Sequence, residues 1–189
     1  MKIKIIPPKC IISMKKILAT LVVGLSLSAA AFAQPTINIV PPSGDAPCTG
    51  EQLCVDVVVA DFTDILSTRF FIQCDTTVLQ FNNTQAYNLP NMGSGNFPQV
   101  GSGRLLVDWM AMNGDCSDPT ATGVTIADGT AIFQVCFTVI GDYGEATTII
   151  IPATANPLTP DIKRKGAGCT NIGIEDAEIG LAECCQLLF

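Results

Sequence analysis

Two stretches restrict this chain more than any others: residues 53–60 (LCVDVVVA) and residues 131–140 (AIFQVCFTVI). In the first, Leu53, Val55, Val57 and Val59 share one face, while Cys54, Asp56 and Val58 share the other. In the second, Phe133, Val135, Phe137 and Val139 share one face, while Gln134, Cys136 and Thr138 share the other. A period of two is the pattern of a strand with one buried face. Outside the first 33 residues, no apolar period of 3.6 persists long enough for a helix of normal length. Shorter alternating runs begin near Pro35, Thr68, Arg104 and Ala146, separated by Gly, Pro, Asn and Asp clusters. About eight or nine short strands with such punctuation predict an all-β fold in which two sheets pack into a β-sandwich.

Residues 1–33 read as a signal peptide with an upstream extension. Met14-Lys15-Lys16 is a positive start, residues 17–28 are apolar, and Ala31-Phe32-Ala33 is a small-residue cleavage site. The mature chain, residues 34–189, then has the length of one domain. Lys2, Lys4, Lys9, Lys15 and Lys16 leave with the leader. Five basic residues then face seventeen acidic ones, a net charge of −12. So acidic a chain lacks the basic footprint that nucleic acid or an anionic membrane requires. The expected setting is secreted, extracellular or cell-surface, without membrane insertion.

Removing Cys10 leaves Cys48, Cys54, Cys74, Cys116, Cys136, Cys169, Cys184 and Cys185. An even count in an exported chain predicts disulfides, and the sequence leaves their pairing open. Adjacent Cys184 and Cys185 are poorly placed to bridge each other. Each is expected to pair elsewhere and to staple the C-terminal strand to the sandwich. There is no His and no C-x-x-C pair, so no metal centre is predicted.

Residues 68–81 (TRFFIQCDTTVLQF) hold a strand rich in aromatic and β-branched residues, an Asp-Thr-Thr turn, and an apolar return. Residues 61–67 read as a connector, residues 82–103 as loop with a short edge strand near 97–100, and residues 153–173 as loop. Residues 174–188 offer one or two final strands. Asn82-Asn83-Thr84 is a formal glycosylation acceptor and reads as surface loop. Lys163-Arg164-Lys165 is the one basic run of the mature chain and reads as a solvated loop.

Four segments together resemble cohesin modules, the docking modules of cellulosome scaffolds, whose fold is shared with family 2 and 3 carbohydrate-binding modules. They are VDVVVADF, RFFIQCDTTVLQF, LLVDW and VTIADGTAIFQVCFTVIG. The second is similar to a YDPxxLxF strand and hook, with Cys74 in the tyrosine place and Thr76 in the proline place. The fourth is similar to the ADGxLFxLxFxVxG run. The match covers residues 52–151. The resemblance implies a jelly-roll sandwich of about nine strands and a non-catalytic role, with no cofactor. It also implies a partner-binding outer face on the sheet containing residues 68–74, made of Arg69, Phe71, Gln73, Leu106, Asp108, Met110, Gln134 and Thr138. The high cysteine content and the segment after Ile151 depart from the family.

Other chemistry has little support. Without His there is no Ser-His-Asp or Cys-His arrangement. Glu51, Glu145, Glu175, Glu178 and Glu183 lie in loops or near the terminus, without the paired carboxylates of a glycosidase. Asp115, Asp118 and Asp128 with Asn113 lack the spacing of a calcium loop and read as solvated carboxylates. Trp109 reads as core, and Tyr87 and Tyr143 lie in loops, so a row of sugar-stacking aromatics is not evident. The expected function is a secreted binding module, docking a dockerin-like protein or a polysaccharide in extracellular polysaccharide handling. The alternative is a structural surface or matrix subunit.

Overall fold

The computed structural model describes residues 34–43, 47–101, 103–112, 118, 120–142, 145, 147–152, 160–166, 171–172 and 178–180. The leader, Cys116, Cys169, Cys184, Cys185, Asn113, Asp115 and Tyr143 lie outside them. No helix among the described residues is long and apolar enough to cross a membrane.

The predicted alternation becomes strands β1 (Thr36–Val40), β2 (Gln52–Ala60), β3 (Ile65–Cys74), β4 (Leu79–Gln85), β5 (Arg104–Met110) and β6 (Thr130–Val139). Shorter strands follow: β7 (Thr148–Ile150), β8 (Asp161–Arg164), β9 (Asn171–Ile172) and β10 (Glu178–Gly180). They form two antiparallel sheets. The first has the order β1-β2-β6-β4. The second has the order β10-β7-β3-β8-β9, with β5 on the opposite edge of β3.

The two alternating stretches meet as neighbours in the first sheet, where Val55 faces Val135 and Leu53 faces Phe137. Their apolar faces pack on Phe70, Ile72, Val107 and Trp109 of the second sheet. A register shift opposite Val57 and Val58 turns Ile132 inward beside Phe133, so β6 buries two successive residues there. Phe97 sits 4.8 Å from Phe133 and Phe81 meets Phe137 edge-on at 6.3 Å. Burial of each such side chain contributes about 1.5–3 kcal/mol.

Four expectations change, the first being the loop at residues 153–173, which contains β8 and β9 because they pair with β3 and with each other. β3 begins at Ile65, within the expected connector, because residues 65–69 find a partner in β8. β4 continues to Gln85, so the glycosylation acceptor lies on an edge strand with Asn82 exposed. The expected strand at 97–100 is a single bridge, Gln99 to Leu105, following a 3₁₀ turn at Ser94–Asn96. That segment still closes the free edge of β5. Leu106 N–H donates to Pro98 O at 3.1 Å, and Asn96 Nδ2 donates to Asp108 O at 2.7 Å.

The basic run is also not a solvated loop. Lys163 and Arg164 belong to β8, and Arg164 is buried. Its guanidinium donates to Thr63 O at 3.0 Å and Asp61 O at 2.6 Å, and Lys165 N–H donates to Asp64 O at 2.8 Å. These bonds hold the turn at residues 61–64, where Asp61 and Asp64 both adopt positive φ. Gly123 closes on the same turn, where a Cβ would come within 2.4 Å of the Asp64 backbone. Turn geometry, not solvation, explains the cation.

The Asp-Thr-Thr turn forms as expected. Asp75 Oδ1 accepts from the Thr77 hydroxyl at 2.7 Å and the Thr77 N–H at 2.9 Å, while Leu79 N–H donates to Asp75 O at 2.9 Å. Of the cysteines, Cys54 and Cys136 are bonded to each other across β2 and β6 on the outer face of the first sheet.

Replacing both Cys54 and Cys136 by Ala is expected to cost about 2–4 kcal/mol in urea denaturation, from the freed loop of the unfolded chain. Arg164→Met is expected to cost about 2–3 kcal/mol in the same measurement, because the half-buried carbonyls of Asp61 and Thr63 lose a charged donor. The Thr77 bonds, the hydroxyl foremost, hold the Asp75 carboxyl below its ordinary 3.8. A depressed carboxylate stabilises the fold fully above that ordinary value and loses the contribution as pH falls through the lowered one. The difference in Tm between the natural chain and Thr77→Val is therefore expected at pH 6 and should shrink below pH 3.8.

Candidate functional site

β3 is the centre of the second sheet, and its alternation sends Thr68, Phe70 and Ile72 inward. Arg69, Phe71 and Gln73 take the opposite face, and register pairs them with Asp108, Leu106 and Arg104 of β5. Arg69 Nε donates to Asp108 Oδ2 at 3.1 Å, and Arg69 Nη2 donates to the same oxygen. On the other flank Arg69 pairs in register with Asp161 of β8. An acid–Arg–acid row therefore crosses three strands. The hydrogen bond to Asp108 raises the guanidinium pKa further, and the charges of Asp108 and Asp161 act the same way. Both side chains of the pair remain over 40 % exposed, at 45 % and 42 %. An exposed pair of this kind adds little stability. Met110, 59 % exposed, and half-buried Leu106 extend this face along β5.

Phe71 departs from the expected surface. It is only 3 % exposed, although it points away from the core. The Arg104 guanidinium lies over its ring at 5.6 Å, and Arg104 Nε donates to Gln73 Oε1 at 3.3 Å. An aromatic ring on an outer face is thereby partly shielded by a long cationic side chain.

Gln134 and Thr138 do not join this face at all. β6 belongs to the first sheet, so their outward side lies across the sandwich from Arg69. There Gln134 donates to Asp56 Oδ1 at 2.8 Å and accepts from Gln85 Nε2 at 3.0 Å, beside the disulfide. The expected eight-residue surface is thus two surfaces: Arg69, Gln73, Leu106, Asp108 and Met110 on one, with Phe71 buried on that side under Arg104, and Gln134 with Thr138 on the other. Alternation predicts which side of its own strand a residue takes, but not which sheet the strand enters.

The aromatic residues offer no stacking platform among the described residues. Trp109 is fully buried, and its Nε1 donates to Pro90 O at 2.8 Å. Tyr87 stacks on Phe97 at 5.7 Å, and its hydroxyl donates to Thr84 O. Asp118 accepts from Thr120 within its own turn, and Asp128 accepts from the distant Asp61 N–H. No group of three metal-ligating side chains occurs among the described residues.

The sequence gives no hint of a cleft of about 510 Å3 between the sheets, at the end where β3 stops and β5 starts. Its walls include Ile72, Leu79, Phe81, Leu105, Phe137 and Ile140. Cys74 also faces it, and burial, with a smaller effect of Asp75, pushes this thiol up to about 11. The thiolate is the reactive form, so this shift runs against nucleophilic use. Gly103, at φ +75, allows the close contact behind the cleft, where a Cβ would sit 2.5 Å from Cys74 O.

No known family model and no curated protein matches this chain. Solved structures do. The sixth cohesin of Acetivibrio cellulolyticus scaffoldin B, solved with a dockerin, aligns at TM-score 0.56 and 17 % identity, over 79 % of this chain and 100 % of that one. The OlpA cohesin of Clostridium thermocellum, also solved with a dockerin, aligns at 0.53 and 16 %, over 78 % and 99 %. A non-cellulosomal cohesin from the archaeon Archaeoglobus fulgidus aligns at 0.50 and 16 %, over 79 % and 92 %. The two-sheet sandwich and these alignments agree: the chain has a cohesin-like fold.

Proposed function

We propose that this chain is a non-catalytic docking module of the extracellular space, and that it binds a protein partner on the outer face of β3 and β5. The observation that carries the reading is the exposed Arg69–Asp108 pair set beside Leu106 and Met110. Met and Arg anchors with a neighbouring carboxylate are the chemistry that protein interfaces favour. The two cohesins solved with dockerins support a partner of that kind. The non-cellulosomal relative in fold supports a partner outside cellulose degradation as well.

Two observations favour this reading over its rivals. The absence of an exposed aromatic row among the described residues disfavours sugar stacking. The described parts of the segment after residue 153 join the second sheet edge to edge, as β8, β9 and β10. They widen the sheet that carries the proposed face, and Arg69, Asp108 and Met110 stay exposed on it, which disfavours a surface buried throughout.

The test is a pull-down by the mature chain from the secretions of its source, run beside cellulose and chitin, followed by titration of the recovered partner. Arg69→Asp and Met110→Asp are each expected to weaken binding about tenfold or more, the effect of losing an interface anchor. Gln134→Ala and Thr138→Ala are expected to leave it unchanged. Retention on an insoluble polysaccharide with no protein partner would overturn the reading.

A further inference from the structure

β4 is the last strand of its sheet. β6 pairs with one flank, and no strand pairs with the other among the described residues. Ile140 N–H donates to Val78 O at 2.8 Å, so the Val78 carbonyl faces β6. Backbone groups alternate in direction along a strand, so Leu79 and Phe81 turn theirs to the opposite flank. Leu79 N–H is used there, donating to Asp75 O at 2.9 Å. Phe81 makes no backbone bond on that flank among the described residues. An edge of this kind is a template for a further strand.

The cleft lies against the same flank. β4 forms one wall, Gln99, Gly101 and Gly103 form another, and buried Ile72, Leu105 and Phe137 form the floor. The second wall is held in place, since Cys74 N–H donates to Gly103 O at 3.0 Å and Val100 N–H donates to Arg104 O at 3.1 Å. Val100 and Ile140, each 42 % exposed, carry apolar surface out to the mouth. The mouth is also acidic. Asp75 adjoins Thr76 of the lining, and Asp142 lies two residues beyond Ile140. Glu145 Oε2 accepts from Asp142 N–H at 3.0 Å, and all three carboxylates belong to exposed residues. Arg104 is the cation of the lining, but its guanidinium is turned over Phe71 on the outer face.

We propose that this cleft is a second docking site, separate from the Arg69 face, and that it takes an extended peptide with alternating apolar side chains and basic ends. The peptide adds to β4 as a strand through the Phe81 backbone and drops its apolar side chains onto the floor. Its basic ends meet Asp75, Asp142 and Glu145. A second copy of the chain is a poorer occupant. Its own β4 flank would bring another concave cleft and the same three carboxylates, setting like charge against like.

The probe is a fluorescein-labelled Lys-Leu-Thr-Leu-Lys amide, titrated with the mature chain and followed by anisotropy. Saturable binding is expected, and replacing both Lys by Glu should weaken it about tenfold or more. N-methylation of the central Thr, or of both Leu, removes amide hydrogens from opposite flanks of the peptide strand. One of the two is expected to abolish binding and the other to spare it, and equal behaviour overturns strand addition. Ile140→Lys places a cation at the mouth and is expected to weaken binding about tenfold or more with Tm unchanged. Arg69→Asp is expected to leave it unchanged, so this site and the Arg69 face fail separately. No saturable binding, or equal binding of the Glu peptide, overturns the proposal. So does self-association of the chain that Ile140→Lys abolishes, which would make the occupant a second copy. The peptide comparisons use the unaltered chain, so a folding defect in a variant does not affect them.

Discussion

The apolar layer between the sheets positions everything else. Phe133 and Phe137 of β6 reach it from one side, and Phe70, Ile72 and Trp109 from the other. Each of these residues is flanked on its own strand by one that must then face outward. The outer-face positions of Arg69 and Asp108 are thus consequences of where Phe70 and Trp109 are buried. A one-residue slip in β3 would bury Arg69 and expose Phe70, at a cost that the core does not tolerate.

That dependence explains what could be read from residues alone. The inward sets of β2, β5 and β6 follow from alternation, because a strand with one buried face writes its pattern directly into the sequence. Trp109 as core, the Asp75 turn and the sandwich itself follow in the same way. Sheet membership does not. Nothing in Gln134 or Thr138 states that β6 hydrogen-bonds to β2 and β4 and lies opposite β3. Non-local pairing is decided by the whole assembly, so the proposed face loses two of its residues to the other side.

The remaining differences share a cause in local chemistry that a one-dimensional pattern hides. Phe71 is placed outward by alternation yet is shielded, because Arg104 on the neighbouring strand can lay its guanidinium across the ring. Arg164 reads as solvated by composition yet is buried, because the turn at residues 61–64 presents carbonyls that need a donor. β4 runs on through Asn82 and Asn83 despite their weak strand preference, since pairing with β6 outweighs propensity. In each case a partner distant in sequence decides the outcome.

The Cys54–Cys136 bond also has a mechanical meaning. It closes a loop of sequence separation 82 that contains all of β3, β4 and β5. A pull on the two ends of the chain passes along β2 only as far as Cys54, crosses to β6, and leaves at Cys136. The covalent path thus bypasses the residues between, which feel the load only through the strand pairs made with β1, β7 and β8. A tether under drag can therefore lose β1 and the segments after β6 while β3, β4 and β5 stay closed in one loop between β2 and β6.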